Sequence, residues 1–289
     1  MMAAVISHYH AARQELSAPG APFAVSQTVV RDVAIKVFAG APPNMRVLWE
    51  TTAAHADKDY IVYEDERYTY GEIGAQVRSL AHLLHHTHGV GSGDRVAIAM
   101  RNYPEWVVGY WATVSLGAAV VGMNAWWTPT EMEFGLTDSR PKVLIADEER
   151  LVRVEQVLDA VRAGGSLHVI AVRTARELPD DSSRWVDEVV GASAPAALPD
   201  VAIDPDDDAC IFYTSGTTGS PKGAQLTHRG SVHNVMNLAF MATATALGEA
   251  KAAAAGDLPA AGGPPAAAPR QAVFMAPTPL FHVTACNCV

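Results

Sequence analysis

A regular alternation of short apolar segments with amphipathic segments constrains the fold of this chain more than any other feature. Residues 94–100, 141–146 and 168–172 have the length and composition of buried strands. Residues 71–86 and 148–162 carry apolar side chains at helical spacing. Strands that are apolar on both faces and alternate with helices predict an α/β fold, with parallel sheets covered by helices.

One long uncharged segment raises the question of a membrane span. Residues 106–127 contain no charged side chain and would be long enough to cross a bilayer. Three glycines and several polar residues interrupt the segment, and large aliphatic residues are sparse. The sequence therefore predicts a buried helix that runs into a buried strand, with no transmembrane segment.

The charge balance and the N-terminus narrow the choice of partner and compartment. The formal net charge is -10, which disfavours nucleic acid as a partner. Hydrophobic residues make up 49% of the chain, enough for a sizeable core. The apolar run at the N-terminus is too short for a secretory signal, so we expect a cytoplasmic protein. The sequence indicates no oligomeric state.

Composition suggests three regions. Residues 1–45 show little periodicity and are interpreted as an N-terminal extension. Residues 46–205 are predicted to form a first α/β subdomain, and residues 206–289 the start of a second. Within the second region, residues 246–270 are rich in Ala, Gly and Pro and are predicted to be a flexible insertion.

Two groups of possible metal ligands are weak evidence for a metal site. His82, His85 and His86 share one face of a predicted helix, and Cys286 and Cys288 are separated by one residue. Neither group supplies a set of four ligands, so we interpret the histidines as a solvated helix end and the cysteines as ordinary thiols. We therefore assign no metal-ligating residue.

The most informative segment is a loop rich in hydroxyl groups and glycine that follows the apolar residues 211–213 and ends at Lys222. Glycines allow backbone N–H groups to approach an anion closely, and successive N–H groups can form an anion-binding concavity. Lys222 adds a mobile positive charge. Ser220 and Pro221 precede this lysine, and a short strand at 224–226 follows it, so the loop joins two strands and is not a Walker A loop.

The order of residues in this loop points to a family. The run YTSGTTGSPKG, which ends at Gly223, closely resembles the phosphate-loop signature of the adenylate-forming (AMP-binding) superfamily. That superfamily includes acyl-CoA synthetases, luciferases and nonribosomal-peptide adenylation domains. Residues 116–131 resemble its early structural motif, and residues 279–284 resemble its aromatic substrate-side motif. The resemblance covers roughly residues 45–289 and implies the N-terminal part of the adenylate-forming fold.

The resemblance implies ATP-dependent activation of a carboxylic acid to an acyl-adenylate and then to an acyl-CoA, with CoA as co-substrate. It assigns catalytic roles to Lys222 and His282, and it places His282 beside the acyl and adenylate groups. The residues that it implies for binding the ATP phosphates are Thr214, Ser215, Gly216, Thr217, Thr218, Gly219 and Lys222. Mg²⁺ is expected to accompany ATP, although no protein ligand for it can be named.

Several motifs that the resemblance implies would lie beyond residue 289. They include the adenine-binding motif, a ribose-binding aspartate and a catalytic lysine of a small C-terminal domain. We therefore expect this polypeptide to be inactive alone. A fatty acid substrate is favoured because the N-terminal region and the insertion resemble bacterial fatty acyl-CoA ligases. Two alternatives remain: a non-catalytic phosphate-binding or interaction remnant, and an aryl-acid or amino-acid adenylating domain.

Overall fold

The computed structural model describes residues 2–214, 221–258 and 271–283. The described α-helices are α1 (Met2–Ser17), α2 (Met45–Glu50), α3 (Tyr70–His82), α4 (Pro104–Val114), α5 (Pro129–Ser139), α6 (Glu148–Val154), α7 (Leu158–Ala163) and α8 (His228–Ala254). The described strands are β1 (Val25–Val30), β2 (Val33–Phe38), β3 (Asp59–Tyr63), β4 (Glu66–Thr69), β5 (Arg95–Ala99), β6 (Ala119–Gly122), β7 (Val143–Asp147), β8 (His168–Val172), β9 (Ser182–Arg184), β10 (Asp208–Thr214) and β11 (Lys222–Thr227).

By contacts the chain divides into two compact units, one of residues 1–42 and 232–275, the other of residues 43–231 and 276–289. The larger unit contains a seven-stranded sheet in the order β11-β10-β6-β5-β7-β8-β9. Neighbouring strands are parallel except for the antiparallel pair β10–β11. Strands β6 and β7 are fully buried, as expected where helices cover both faces of a parallel sheet. The predicted α/β architecture is confirmed.

The long uncharged segment forms the interior of this unit. It contains most of α4, all of whose residues but one are buried, and the buried strand β6. Gly109 allows α4 to lie close to the sheet, because a Cβ atom there would be 3.0 Å from Cδ1 of Ile98 on β5. No helix in the described part of the chain is long and apolar enough to cross a membrane.

The region predicted as one helix over residues 148–162 consists of two short helices, α6 and α7. Asp147 caps α6, because its side chain accepts a hydrogen bond from the N–H of Arg150. The backbone leaves the helical conformation at Val157, where φ is -127° and ψ is 0°. Apolar residues at helical spacing continue across this break, which explains why periodicity alone predicted a single helix.

The smaller unit contains α1, the antiparallel pair β1–β2 and most of α8. Its aromatic residues pack together: the ring of Phe23 lies 5.9 Å from that of Phe38 and 5.4 Å from that of Phe240. The N–H of Phe38 donates to Nε2 of His233 at 3.1 Å. Sequence analysis assigned no elements to residues 1–45, whereas the structure shows a helix and a hairpin there.

Helix α8 extends further than the sequence predicted. Residues 246–254, which we placed in a flexible insertion, form its last part. Alanine has the highest helix propensity, so the alanine-rich half of this segment continues the helix. Residues 259–270 of the insertion lie outside the described part of the chain, and their flexibility stays a prediction.

Candidate phosphate-binding site

Strands β10 and β11 hold the two ends of the glycine-rich loop together. Thr214, the last residue of β10, pairs with Lys222, the first residue of β11. The hydroxyl of Thr214 donates to the backbone carbonyl of Lys222 at 3.4 Å, and both residues are exposed. The loop therefore joins two strands, as predicted. Ser215, Gly216, Thr217, Thr218 and Gly219 lie outside the described residues, so their phosphate-binding role stays a prediction.

The residue before the loop is anchored to helix α5. The hydroxyl of Tyr213 donates to Oδ2 of Asp138 at 2.6 Å, and its ring packs edge-on against Trp127 at 5.3 Å. Burial, followed by the hydrogen bond to Asp138, raises the pKa of Tyr213 above its ordinary value. Tyr213 therefore stays protonated and keeps donating, which fixes the end of β10.

A buried histidine supports the strand that leaves the loop. Thr227 ends β11 and accepts a hydrogen bond from the N–H of Gly230 in the first turn of α8, so it caps the helix. His228 is fully buried, and its Nδ1 accepts a hydrogen bond from the N–H of Met45 at 3.2 Å. Burial lowers the pKa of His228 to about 4, against a weaker opposing effect of Asp207. A neutral imidazole therefore joins α8 to α2, a role that the sequence did not reveal.

The segment that carries the aromatic motif lies at the same edge of the sheet. A Cβ atom at Gly122, the last residue of β6, would be 3.1 Å from the carbonyl oxygen of Phe281 and 2.9 Å from the ring of Phe212. Only glycine permits this close approach without displacement. The ring of Phe281 packs edge-on against Trp126 at 5.4 Å. His282 follows as an exposed residue, and its N–H donates to the carbonyl of Pro279 at 3.0 Å.

Sequence analysis missed the residue that holds this segment in place. Asn102 follows β5, and its side-chain oxygen accepts a hydrogen bond from the N–H of Leu280 at 2.8 Å. Its side-chain nitrogen donates to the carbonyls of Thr278 and Ala276 at 2.9 and 3.3 Å. A lone asparagine after a strand has no sequence signature, so only the structure identifies it.

These observations place the candidate site outside the carboxyl ends of β5, β6 and β10. Asn102 follows β5, Gly122 ends β6, and Thr214 ends β10. In open α/β sheets, ligands bind in the crevice at the carboxyl ends of the strands. The geometry brings the aromatic motif beside Gly122 and Phe212.

A second region of the same edge is built differently. A cavity of about 500 Å³ is lined by Tyr103, Asp147, Glu148, Glu149, Arg150, Val152, Arg153 and Arg173. Arg150 and Asp147 form an ion pair at 3.0 Å with side chains only 2% and 4% exposed. Arg173 pairs with Glu66 at 2.6 Å and with Glu105 at 2.9 Å. The charged side chains around this cavity are thus already engaged in ion pairs within the protein.

Sequence analysis assigned no metal-ligating residue. Among the residues that the structure describes, no group of three or more His, Cys, Asp or Glu side chains could hold a metal ion. His82 and His85 contact the backbone carbonyls of Ala197 and Val90. The expectation of Mg²⁺ therefore rests on ATP alone, and Cys286 and Cys288 lie outside the described residues.

Comparison with known proteins identifies the family of this chain. A model of the family described as AMP-binding enzyme matches residues 48–289. 4-Coumarate–CoA ligase 2 of Oryza sativa subsp. japonica is 33% identical over 174 residues, 58% of this chain and 30% of that protein. The chain thus spans about a third of that relative's length.

Solved structures agree at the level of the fold. The anthranilate CoA ligase AuaEII, solved in complex with anthranoyl-AMP, matches with a TM-score of 0.61 at 25% identity, over 68% of this chain and 37% of that one. The inhibitor-bound N-terminal domain of FACL13 from Mycobacterium tuberculosis matches with a TM-score of 0.60 at 26% identity, over 86% and 54%. Because the family model covers most of the sequence, this chain belongs to the AMP-binding enzyme family.

Proposed function

We propose that this protein activates a carboxylic acid with ATP, forming an acyl-adenylate and then an acyl-CoA. The observation that carries the proposal is the β10–β11 pair, which presents Thr214 and Lys222 at the two ends of the glycine-rich loop. Both residues are exposed at the carboxyl edge of the sheet, where a ligand can reach them.

The chemistry requires an anion to approach a polyanion. A carboxylate oxygen attacks the α-phosphorus of ATP, and pyrophosphate leaves with the electrons of the broken P–O bond. The thiol sulfur of CoA, having released its proton to solvent, then attacks the acyl carbonyl, and AMP leaves with the electrons of the broken C–O bond. Hydrogen-bond donors and a cation held at the phosphates offset the repulsion between the reactants and stabilise the departing charge.

Residues of the loop have the chemistry that this step needs. We assign binding of the β- and γ-phosphates to residues 214–219, through hydroxyl and backbone N–H donors. Lys222 neutralises negative charge at the end of the loop, because an ammonium group acts as a mobile point charge. The antiparallel pairing of Thr214 with Lys222 supports this role, since it fixes the spacing of the loop ends.

The segment that carries the aromatic motif supplies the acid side of the proposed site. Trp126 is 66% exposed and packs edge-on against Phe281, so the two rings offer an apolar wall to an acyl group. His282 follows directly, and we assign it to the region where the carboxylate meets the α-phosphate. An imidazole there can donate a hydrogen bond to an anionic oxygen.

Two acid classes compete. A fatty acid is our first candidate, on the resemblance of the N-terminal region and the insertion to bacterial fatty acyl-CoA ligases. An aryl acid is the second candidate, since the coumarate and anthranilate ligases found by comparison are named for aryl acids.

The test is ATP–pyrophosphate exchange, with Mg²⁺ and a panel of fatty and aryl acids, by a purified chain extended with the adenine-binding, ribose-binding and catalytic-lysine motifs that the resemblance implies. Wild-type protein should exchange label only with its own acid class, and Lys222→Ala should reduce the rate by about tenfold or more, as expected for loss of a charged hydrogen bond. Lys142→Ala is the matched control, because Lys142 precedes β7 at the opposite edge and pairs with Asp94 at 2.7 Å. ATP binding without any exchange by folded protein would favour the non-catalytic phosphate-binding alternative.

A further inference from the structure

The segment of residues 276–283, called here the aromatic segment, forms three hydrogen bonds with a single side chain. Ala276 and Thr278 belong to no helix or strand, yet Asn102 bonds both of their carbonyls and the N–H of Leu280. A primary amide can accept and donate at once, which is what three backbone groups of mixed polarity require. Asn102 in turn lies between β5 and α4, two buried elements of the sheet unit.

A second contact fixes the other end of the same segment. Leu280 is only 4% exposed, and the carbonyl of Phe281 passes over Gly122 at the end of β6. The path of the chain into His282 is therefore defined at two points, Asn102 beyond β5 and Gly122 on β6. The first is a set of hydrogen bonds that a substitution can remove, whereas the second is a close packing contact.

We propose that Asn102 is a positioning residue for acid activation: its amide orients the aromatic segment so that Phe281 and His282 face the carboxyl ends of β6 and β10. The inference rests on the proposed function for its substrate and on the hydrogen bonds for its geometry. Asn102 touches the segment and not the reacting atoms. Its loss should therefore weaken use of the acid while leaving the phosphate loop on β10–β11 intact.

Hydrogen exchange of the ligand-free chain tests the geometry. In Asn102→Ala, the amide of Leu280 should exchange up to about tenfold faster, because one net hydrogen bond is lost. Asn102→Asp keeps an acceptor for that amide but cannot donate to Thr278 and Ala276, so protection at Leu280 should stay while the segment before it loosens. Because this variant should keep the protection of Leu280, it also serves as a control for general misfolding.

Asn44→Ala is the matched control. Asn44 makes similar side-chain bonds to backbone, accepting from the N–H of Val47 at 3.0 Å and donating to the carbonyl of Ile203 at 3.4 Å. Its loss should leave exchange of residues 276–283 unchanged. Unaltered protection of Leu280 in Asn102→Ala would overturn the inference, as would equal loosening of the aromatic segment in Asn44→Ala.

Kinetics separate positioning from plain structural support. In the pyrophosphate-exchange assay, Asn102→Ala should raise the KM for the acid by up to about tenfold with the KM for ATP unchanged, and Asn102→Asp should recover part of the loss. An equal rise in both KM values would overturn the acid-side role. If the extended wild-type chain shows no exchange, the proposed function fails, and hydrogen exchange still decides whether Asn102 holds the segment.

Discussion

The two ends of the sheet's carboxyl edge differ in how their charged groups are placed: at one end they are buried in ion pairs, and at the other a charged side chain is exposed. At the β7–β8 end, Arg150 and Asp147 are buried and paired, and the guanidinium of Arg173 lies over the rings of Tyr63 and Tyr103. At the β6–β10 end, the strands finish at Gly122 and Thr214, and Lys222 is exposed.

This difference distinguishes charged groups that stabilise the fold from groups that are available to bind a ligand. A charge already engaged in a buried ion pair cannot take a ligand without leaving its partner uncompensated, which is costly. An exposed lysine and a hydroxyl-rich loop lose little when they turn to an anion. The cavity at the β7–β8 end is therefore a structural feature, and the nucleotide is expected at the β6–β10 end.

The largest predicted effect concerns the β7–β8 end. Arg150→Met should lower the free energy of unfolding by about 3–5 kcal/mol, because Asp147 would remain buried without its cation. Urea denaturation measures the change. The double variant Arg150→Met with Asp147→Asn should recover part of the loss. If the free energy of unfolding falls by less than about 1 kcal/mol, this pair contributes no more than an ordinary surface ion pair. The proposed difference between the two ends would then be wrong.

A pH effect should come from His228, which supports the β6–β10 end. Its pKa lies at about 4 in the folded chain because of burial, against about 6.5 when unfolded. Between these values the unfolded state binds the extra proton, so stability should fall as pH falls from about 6.5 to 4, by at most about 1.4 kcal/mol per pH unit. This slope is obtained from urea denaturation at several pH values.

His228→Asn provides the control for that slope. An asparagine oxygen can replace Nδ1 as acceptor for the N–H of Met45 but does not titrate. The variant should lose most of the acid sensitivity in this window. An unchanged slope would assign the acid sensitivity to other groups, and the half-buried His168 would be the next candidate, since burial lowers its pKa to about 4 as well.

The smallest predicted effect concerns the hydrogen bond that anchors the strand before the loop. Tyr213→Phe removes the hydroxyl that bonds Asp138 and should cost about 1 kcal/mol of stability. Asp138→Asn, which keeps an acceptor for the tyrosine hydroxyl, should cost less. Thermal unfolding measures both. If the two variants are equally stable, the hydrogen bond does not anchor the end of β10.

Sequence patterns predicted the buried strands well and the polar contacts poorly. Strands β5, β7 and β8 appear where apolar runs predicted them, because burial on both faces leaves a direct mark on composition. The hairpin β1–β2 escaped notice because Arg31 and Asp32 form its turn with positive φ values of 49° and 63°, where an Asn-Gly pair would have been the usual signal.

The candidate site was predictable only where residue order carries the information. The loop ends at Thr214 and Lys222 were identified from the signature, and the structure pairs them across two strands. Asn102, His228 and Asp138 were missed, since each acts through contacts with residues distant in sequence. Such pairings depend on the tertiary fold, so no local pattern in the chain indicates them.

Equilibrium binding of ATP to the folded chain tests the central claim most directly, because it needs no catalysis. Wild-type protein, Lys222→Ala and Lys142→Ala should be compared in one titration. We predict that Lys222→Ala weakens binding by about tenfold to a hundredfold, as expected for loss of a charged hydrogen bond, while Lys142→Ala binds like the wild type. Equal dissociation constants for wild type and Lys222→Ala would contradict a nucleotide site at the β6–β10 end.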